Sequence, residues 1–300
     1  MNARQQARTR AIRADLHVHT CASDSRWTPA QVVDGCRAKG IGLLAVADHD
    51  TTDSVLVAES LALGSGISYL RAVEVSTTTD GVLIHIRAYG IDVEDPGLRG
   101  VLDTNQTQAS AKPLQDVRRL VDLGYPVSLG DFLTYKYDRS RGGFKLLNYL
   151  IDLGIVADMR DYSLAIAPHF DKPWANYVHP ERAVTAIRAA GGVPVMAHPG
   201  ASLKLRGGAT AADLGWTCSL GIAGFECYSQ YHDAETTNNC VTFCDQRDLV
   251  ITGGSDFHGH LTPIGRELGS PEVYPAQFRL NEIQYRIHYP STNAQSIPAD

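Results

Sequence analysis

Apolar runs of strand length recur along this chain, and one after another they end in histidine or a carboxylate. ADLHVHTCASD sets His17 and His19 around Val18, with Asp24 five residues on. IGLLAVADHD closes on Asp48, His49 and Asp50, AVEVS carries Glu74, and VLIHI carries His85. Later, VPVMAHPG brings His198, and GGSDFHG brings Asp256 and His258. Alternate side chains of a strand share a face, so His17 and His19 leave one side while Val18 packs behind them. A single buried histidine is more often a satisfied core residue than a ligand. Many at the ends of apolar strands call for a fold that gathers strand ends at one mouth, as α/β barrels and open parallel sheets do.

The connections agree with that reading. In TPAQVVDGCRAKG, Thr28 suits a helix N-cap, Pro29 the first turn and Gly40 the exit. SVLVAESLALGSG reads as helix and ISYLRAVEVSTT as the next strand, giving a β-α-β-α-β order. Beyond DGVLIHIRAYGID the pattern turns helical and strand signals almost vanish, until HPERAVTAIRAAGG, a capped amphipathic helix, restores the alternation. A helix around 234–246 separates the strands expected in IAGFECY and DLVITGGSDFH. The expected organisation is a barrel-like unit over 12–95 and 176–288, interrupted by a mainly helical insertion over 96–175, with loosely packed termini at 1–11 and 289–300.

Composition removes several classes of function. With 27 basic and 33 acidic residues, the formal charge of −6 gives no electrostatic basis for wrapping duplex nucleic acid. No stretch approaches 18 apolar residues, so a membrane span is not expected. Six cysteines without a CxxC pair fit reduced thiols and a cytoplasmic setting. The arginine-rich start has no apolar segment of the kind a secretory signal needs. Imidazole and carboxylate ligands without thiolate suit Mn, Zn or Fe.

Taken together, DLHVHTCASD, LLAVADHD, AVEVS, MAHPG and GGSDFHG resemble the motifs of the polymerase and histidinol phosphatase (PHP) family of phosphoesterases. The resemblance implies an α/β fold, a distorted TIM-like (β/α)7 barrel, with two or three divalent ions at its C-terminal mouth. Carried over by motif, one ion takes His17, His19, Glu74 and Asp256. A second shares Glu74 and adds His85 and His198, and a third takes Asp24, His49 and His258. Glu74 as a bridge suits two ions about 3.5–4 Å apart. Asp24, His49, Glu74, His198, Asp256 and His258 are the residues then expected to be catalytic.

The helical interval containing GDFLTYKYDRSRGGFKLLNYLIDLGIV resembles the nucleotide-directed branch of that family, which includes nucleoside 3′,5′-bisphosphate phosphatases and enzymes that trim short RNA from the 5′ end. Where that branch commonly opens a helix with Gly-Arg-Pro-His, this chain has Gly142-Gly143-Phe144-Lys145. The expected substrate contacts are Arg139, Arg141, Phe144, Lys145, Tyr177, Lys204 and Arg266, with Lys145 favoured for a second phosphate. The function this implies is hydrolysis of a nucleotide phosphomonoester, a nucleoside 3′,5′-bisphosphate or monophosphate, by hydroxide generated at the metals. A 5′-to-3′ exonuclease on short single-stranded RNA or DNA is the enzymatic alternative. A non-enzymatic metal or nucleotide sensor is the third reading.

Overall fold

The computed structural model describes residues 12–172, 174–261 and 267–291. From β1 (Arg13–Val18) the chain passes through α1 (Pro29–Ala38) to β2 (Ile41–Val46), then through α2 (Val55–Gly64) to the short β3 (Ser68–Tyr69). These strands pair in chain order, all parallel. The ends of α1 follow from sequence. The Thr28 hydroxyl accepts the Gln31 N–H, Pro29 occupies the first turn, and Gly40 leaves at φ +68°.

Two features depart from the expected parallel order. ISYLRAVEVSTT is not one strand: Leu70 and Arg71 separate β3 from β4 (Ala72–Thr79), which starts a second sheet. Arg71 pairs there with Glu59 of α2 at 2.9 Å. Next, Asp80 and Gly81, at φ +49° and +74°, fold β5 (Val82–Tyr89) back antiparallel to β4. A two-residue turn with both central φ angles positive makes a hairpin and not a crossover. β6 (Val193–Met196) is antiparallel to β5, while β7 (Gly224–Ser229) and β8 (Val250–Gly254) continue parallel. The result is an α/β fold with a parallel three-stranded sheet and a mixed five-stranded sheet among the described residues. Isolated bridges, Val18 to Phe257 and His49 to Glu74, join the two sheets.

Strand residues alternate between two cores. Leu44, Val46, Val73, Val75, Ile84, Ile86 and Phe225 face the helices. Leu43, Ala45, Ala72, Tyr89, Val195 and Val250, drawn from both sheets, converge on a separate enclosed cluster. By the two-residue period, Glu74, His85, Arg87 and Glu226 share that enclosed side.

Between β5 and β6 lie α3 (Pro96–Asp122), α4 (Leu129–Thr134), α5 (Lys145–Asp152), short turns as far as His169, and α6 (Pro180–Ala189). Val117, Leu120, Phe132, Leu146, Leu150 and Ile166 form a third apolar cluster that belongs to this helical stretch. α7 (Pro199–Ser202), α8 (Ala211–Ser219) and α9 (Ala234–Asp245) complete the later connections. No helix among the described residues is long and apolar enough to cross a membrane. Of the termini expected to pack loosely, 1–11 and 292–300 lie outside the described residues.

Candidate metal centre

The strand ends do converge. His17 Nε2 and His19 Nε2 lie 3.0 Å apart. Both reach the same two oxygens: Glu74 Oε2 at 3.0 and 3.2 Å, and Asp256 Oδ1 at 3.1 and 3.0 Å. The other Glu74 oxygen, Oε1, faces His198 Nε2 at 3.5 Å and His85 Nδ1 at 3.7 Å. Asp24 Oδ1 lies 3.3 Å from His258 Nε2, and His49 Nδ1 lies 3.4 Å from Glu74 Oε2. Three groups of donor atoms are close enough to share an ion: His17, His19, Glu74 and Asp256; His19, Asp24, His49 and His258; and His49, Glu74 and His85. His49 and His19 thus each border two groups, a sharing the motifs did not suggest. His17, His19 and Glu74 are fully buried, whereas Asp24, His49 and His85 are half-buried and form the solvent side.

The donor set fits divalent ions. Two imidazole nitrogens and two carboxylate oxygens crowd one point, and oxygen with imidazole suits Mn, Zn or Fe. Glu74 Oε1, His19 Nδ1 and His49 Nδ1 are buried with no hydrogen-bond partner, an expensive condition unless another group meets them. Titration tells the same story. Burial opposes charge on His19, yet hydrogen bonds and charge from Asp256 and Glu74 push it up to about 10. Burial alone would raise Glu74, but His17, His49 and His85 outweigh it and hold the carboxyl well below its usual range. Burial pushes His85 down to about 3, with Glu74 opposing. This is a pocket of anions that collects positive charge.

Further residues shape the site, and of these Tyr231, Glu226 and Arg87 went unread in the sequence. Asp48 accepts the Thr20 N–H and hydroxyl at 2.7 Å each, the Ser23 hydroxyl at 2.6 Å and the Ser54 hydroxyl, fixing the loop before Asp24. Asp50 accepts from Ser76 N–H and from Asn105 of α3. The Tyr231 hydroxyl donates to Asp256 Oδ2 at 2.7 Å. Glu226 lies behind His17, with Nδ1 3.2 Å from its Oε1. The available signal was a charged residue inside apolar strands, Glu226 in GFECYS and Arg87 in VLIHIRAY, since buried charges are found paired.

Most of the expected substrate contacts are engaged elsewhere. Arg139 donates to the carbonyls of Ala22 at 2.6 Å and Ser23 at 3.1 Å, and Arg141 grips Asp152 with both terminal nitrogens. The Lys145 ammonium sits 4.7 Å over the Phe132 ring and donates to Leu133 O. Phe144 packs edge-on against Tyr162. Lys204 is exposed with no partner among the described residues, whereas Arg206, two residues on, lies over Trp216 and meets Asp213. Tyr177 is half-buried, and its backbone carbonyl accepts from the Thr78 hydroxyl at 3.0 Å. Arg266 lies outside the described residues.

No family model matches the chain. Curated relatives do. A 3′,5′-nucleoside bisphosphate phosphatase from Chromobacterium violaceum is 30% identical over 296 residues, 92% of this chain and 98% of that protein. A phosphoribosyl 1,2-cyclic phosphate 1,2-diphosphodiesterase from Eggerthella lenta is 29% identical over 82% of this chain and 94% of its own length. A 5′-3′ exoribonuclease from Salmonella typhimurium is 30% identical over 87% of this chain and 91% of its own length. Among solved structures, one described as an amidohydrolase from Chromobacterium violaceum, with bound sulfate and no metal, superposes with a TM-score of 0.77 at 28% identity, covering 93% of this chain and 98% of that one.

Proposed function

The chain belongs to the PHP family of metal-dependent phosphoesterases, and on that premise we propose that it hydrolyses a phosphomonoester of a small nucleotide, a nucleoside 3′,5′-bisphosphate before a monophosphate. The observation that carries the reading is Glu74, one buried carboxylate whose two oxygens face separate sets of imidazoles. That geometry suits an ion pair held across a single phosphate. The two sheets are read as parts of one distorted (β/α)7 barrel, supported by the two bridges and by the enclosed cluster drawn from both.

His17, His19, Glu74 and Asp256 would hold one ion, Glu74, His85 and His198 a second, and Asp24, His49 and His258 a third. When bound, such ions supply Lewis-acid chemistry: charge neutralisation at phosphoryl oxygens and acidification of water. The protein's own groups do the rest. Half-buried Asp24, His49 and His85 border the entrance, so an incoming phosphate meets them first. Burial, then the charges of Asp50 and Asp24, push the Tyr177 phenol far up, so it stays protonated. Of the described cations considered, Lys204 suits a second phosphate, because Arg139, Arg141 and Lys145 have partners. The setting proposed is the cytoplasm, in keeping with six cysteines that form no disulfide.

The test is turnover by chelator-treated protein, reloaded with Mn(II), on adenosine 3′,5′-bisphosphate, AMP and a short 5′-phosphorylated RNA. The bisphosphate is expected to give the highest kcat/KM. Highest kcat/KM on the RNA would favour the second reading, a 5′-3′ exoribonuclease, which the Salmonella relative supports. No turnover of any phosphate ester would sink both.

A further inference from the structure

On the enclosed side of the sheets, one layer below the candidate ligands, β5 contributes Arg87 and β7 contributes Glu226, both fully buried. Arg87 Nη1 donates to Glu226 Oε1 at 2.7 Å, and its Nε and Nη2 have no hydrogen-bond partner. Burying such a pair among Tyr89, Val195 and Leu16 is expensive, and an apolar pair of similar volume would fill the space at least as well. The reason for keeping it lies in what else Glu226 touches. His17 Nδ1 lies 3.2 Å from Oε1 and 3.4 Å from Oε2, and the backbone N–H of His198 donates to Oε2 at 2.8 Å. A carboxylate only accepts, so Nδ1 holds a proton against Glu226, and Nε2, which faces Glu74 and Asp256, is the nitrogen left to an ion. His198 has φ +29° and ψ +60°, a left-handed conformation that a side chain adopts only when its surroundings hold it.

We infer that Glu226, neutralised by Arg87, is a positioning residue that fixes the His17 tautomer and the His198 backbone together, so that one carboxylate sets the geometry of two divalent-ion positions. Neither residue is a ligand. The inference rests on the metal-dependent reading above. It extends that reading to a specific dependence of ion affinity on a pair outside the ligand set.

The experiment compares wild type, Glu226→Gln and the neutral pair Arg87→Met/Glu226→Gln, each stripped by chelator. It reads Mn(II) affinity by competition with a fluorescent chelator, the electronic spectrum of the Co(II)-loaded protein, and the melting temperature without metal. Glutamine keeps the shape, but its amide nitrogen only donates, so it cannot serve Arg87, His17 and His198 at once. Glu226→Gln is expected to bind Mn(II) about 10–100-fold more weakly and to change the Co(II) spectrum. The double variant removes the unpaired buried cation, so it should recover melting temperature without recovering affinity. A purely structural pair would recover both together, and that result overturns the inference, as does wild-type affinity in Glu226→Gln. Should neither variant fold, the tautomer decides: 15N-histidine spectra of Zn(II)-loaded wild type should show His17 protonated at Nδ1 with Nε2 turned to the ion, and an unprotonated Nδ1 overturns the inference. Wild type that takes up no divalent ion would overturn the functional reading as well, whereas equal affinities overturn this inference alone.

Discussion

Asp50, His198 and Asp256 all lie at strand ends with positive φ, a region that disfavours side chains by roughly 1–2 kcal/mol each. Each is anchored through its own N–H: Asp50 to Glu74 O at 2.9 Å, His198 to Glu226 at 2.8 Å, Asp256 to His17 O at 2.8 Å. Two of these ties end on residues that would bind metal, Glu74 and His17, and the third ends on Glu226 behind them. Replacing Glu74 with alanine is expected to remove the paired centre, leaving at most the ion near Asp24, with affinity falling by more than about 100-fold elsewhere. Elemental analysis of the reloaded variant checks this; a full ion complement would exclude the bridge. The histidines also set a pH dependence. In metal-free protein His19 is raised from 6.5 to about 10, so its contribution to stability is complete below about pH 6.5 and lost as pH rises through 10. His85, lowered to about 3, acts between pH 3 and 6.5 and does not blur that window. Urea unfolding of the stripped protein should thus show stability falling from pH 6.5 to 10. Divalent ions displace the same proton, so Mn(II) uptake should release protons and tighten with pH over that range.

At the scale of elements, helices with strong end signals were legible and pairing direction was not. Thr28, Pro29 and Gly40 delimit α1 because capping is local chemistry. The reversal at Asp80-Gly81 was present in the sequence as a turn dipeptide but was hidden inside a β-α-β expectation. The nine candidate ligands stood out because each lies in or just after an apolar run of strand length; Glu226 and Arg87 did not, because Glu226 is 209 residues from His17 and 139 residues from Arg87. Contacts from the helical stretch onto the ligand loop were equally non-local. Besides Arg139, Gly143 N–H donates to Asp24 O at 2.6 Å, and Arg26 Nε donates to Arg141 O at 3.0 Å. Gly142, at φ +70°, lies so close that a Cβ there would sit 2.8 Å from Arg26 Cγ and 3.0 Å from Asp24 O. Gly142→Ala should therefore lose about 1–3 kcal/mol of stability and also weaken the ion near Asp24. Gly66→Ala shares the positive φ, with open space around the added methyl, and serves as the comparison. Equal metal content in the two variants would sever the helical stretch from the site.

For the molecule as a whole, a formal charge of −6 means that a doubly phosphorylated substrate approaches against the overall field. Bound divalent ions reverse that field at one phosphate only. A second phosphate needs a cation that is not already spoken for. Arg139 and Arg141 hold backbone and Asp152, Lys145 is folded onto the aromatic core of the helical stretch, and Arg206 is shared between Trp216 and Asp213. Lys204 stands six residues past His198, just after α7, exposed and without a partner among the described residues. A charge-assisted contact to phosphate contributes about 1.5–3 kcal/mol, or roughly 10–150-fold in kcat/KM. Lys204→Ala should accordingly lower kcat/KM on adenosine 3′,5′-bisphosphate at the lower end of that range, since the site is exposed, and leave AMP nearly unchanged. Because the contact acts on binding, the loss should appear in KM with kcat preserved. Metal content and melting temperature are expected to match wild type, which separates a substrate contact from a folding defect. Lys145→Ala is the competing arm: a larger selective loss there than at Lys204 would return the second phosphate to the opening of α5. Equal losses on both substrates at Lys204 would show that it steers anions in general and distinguishes none.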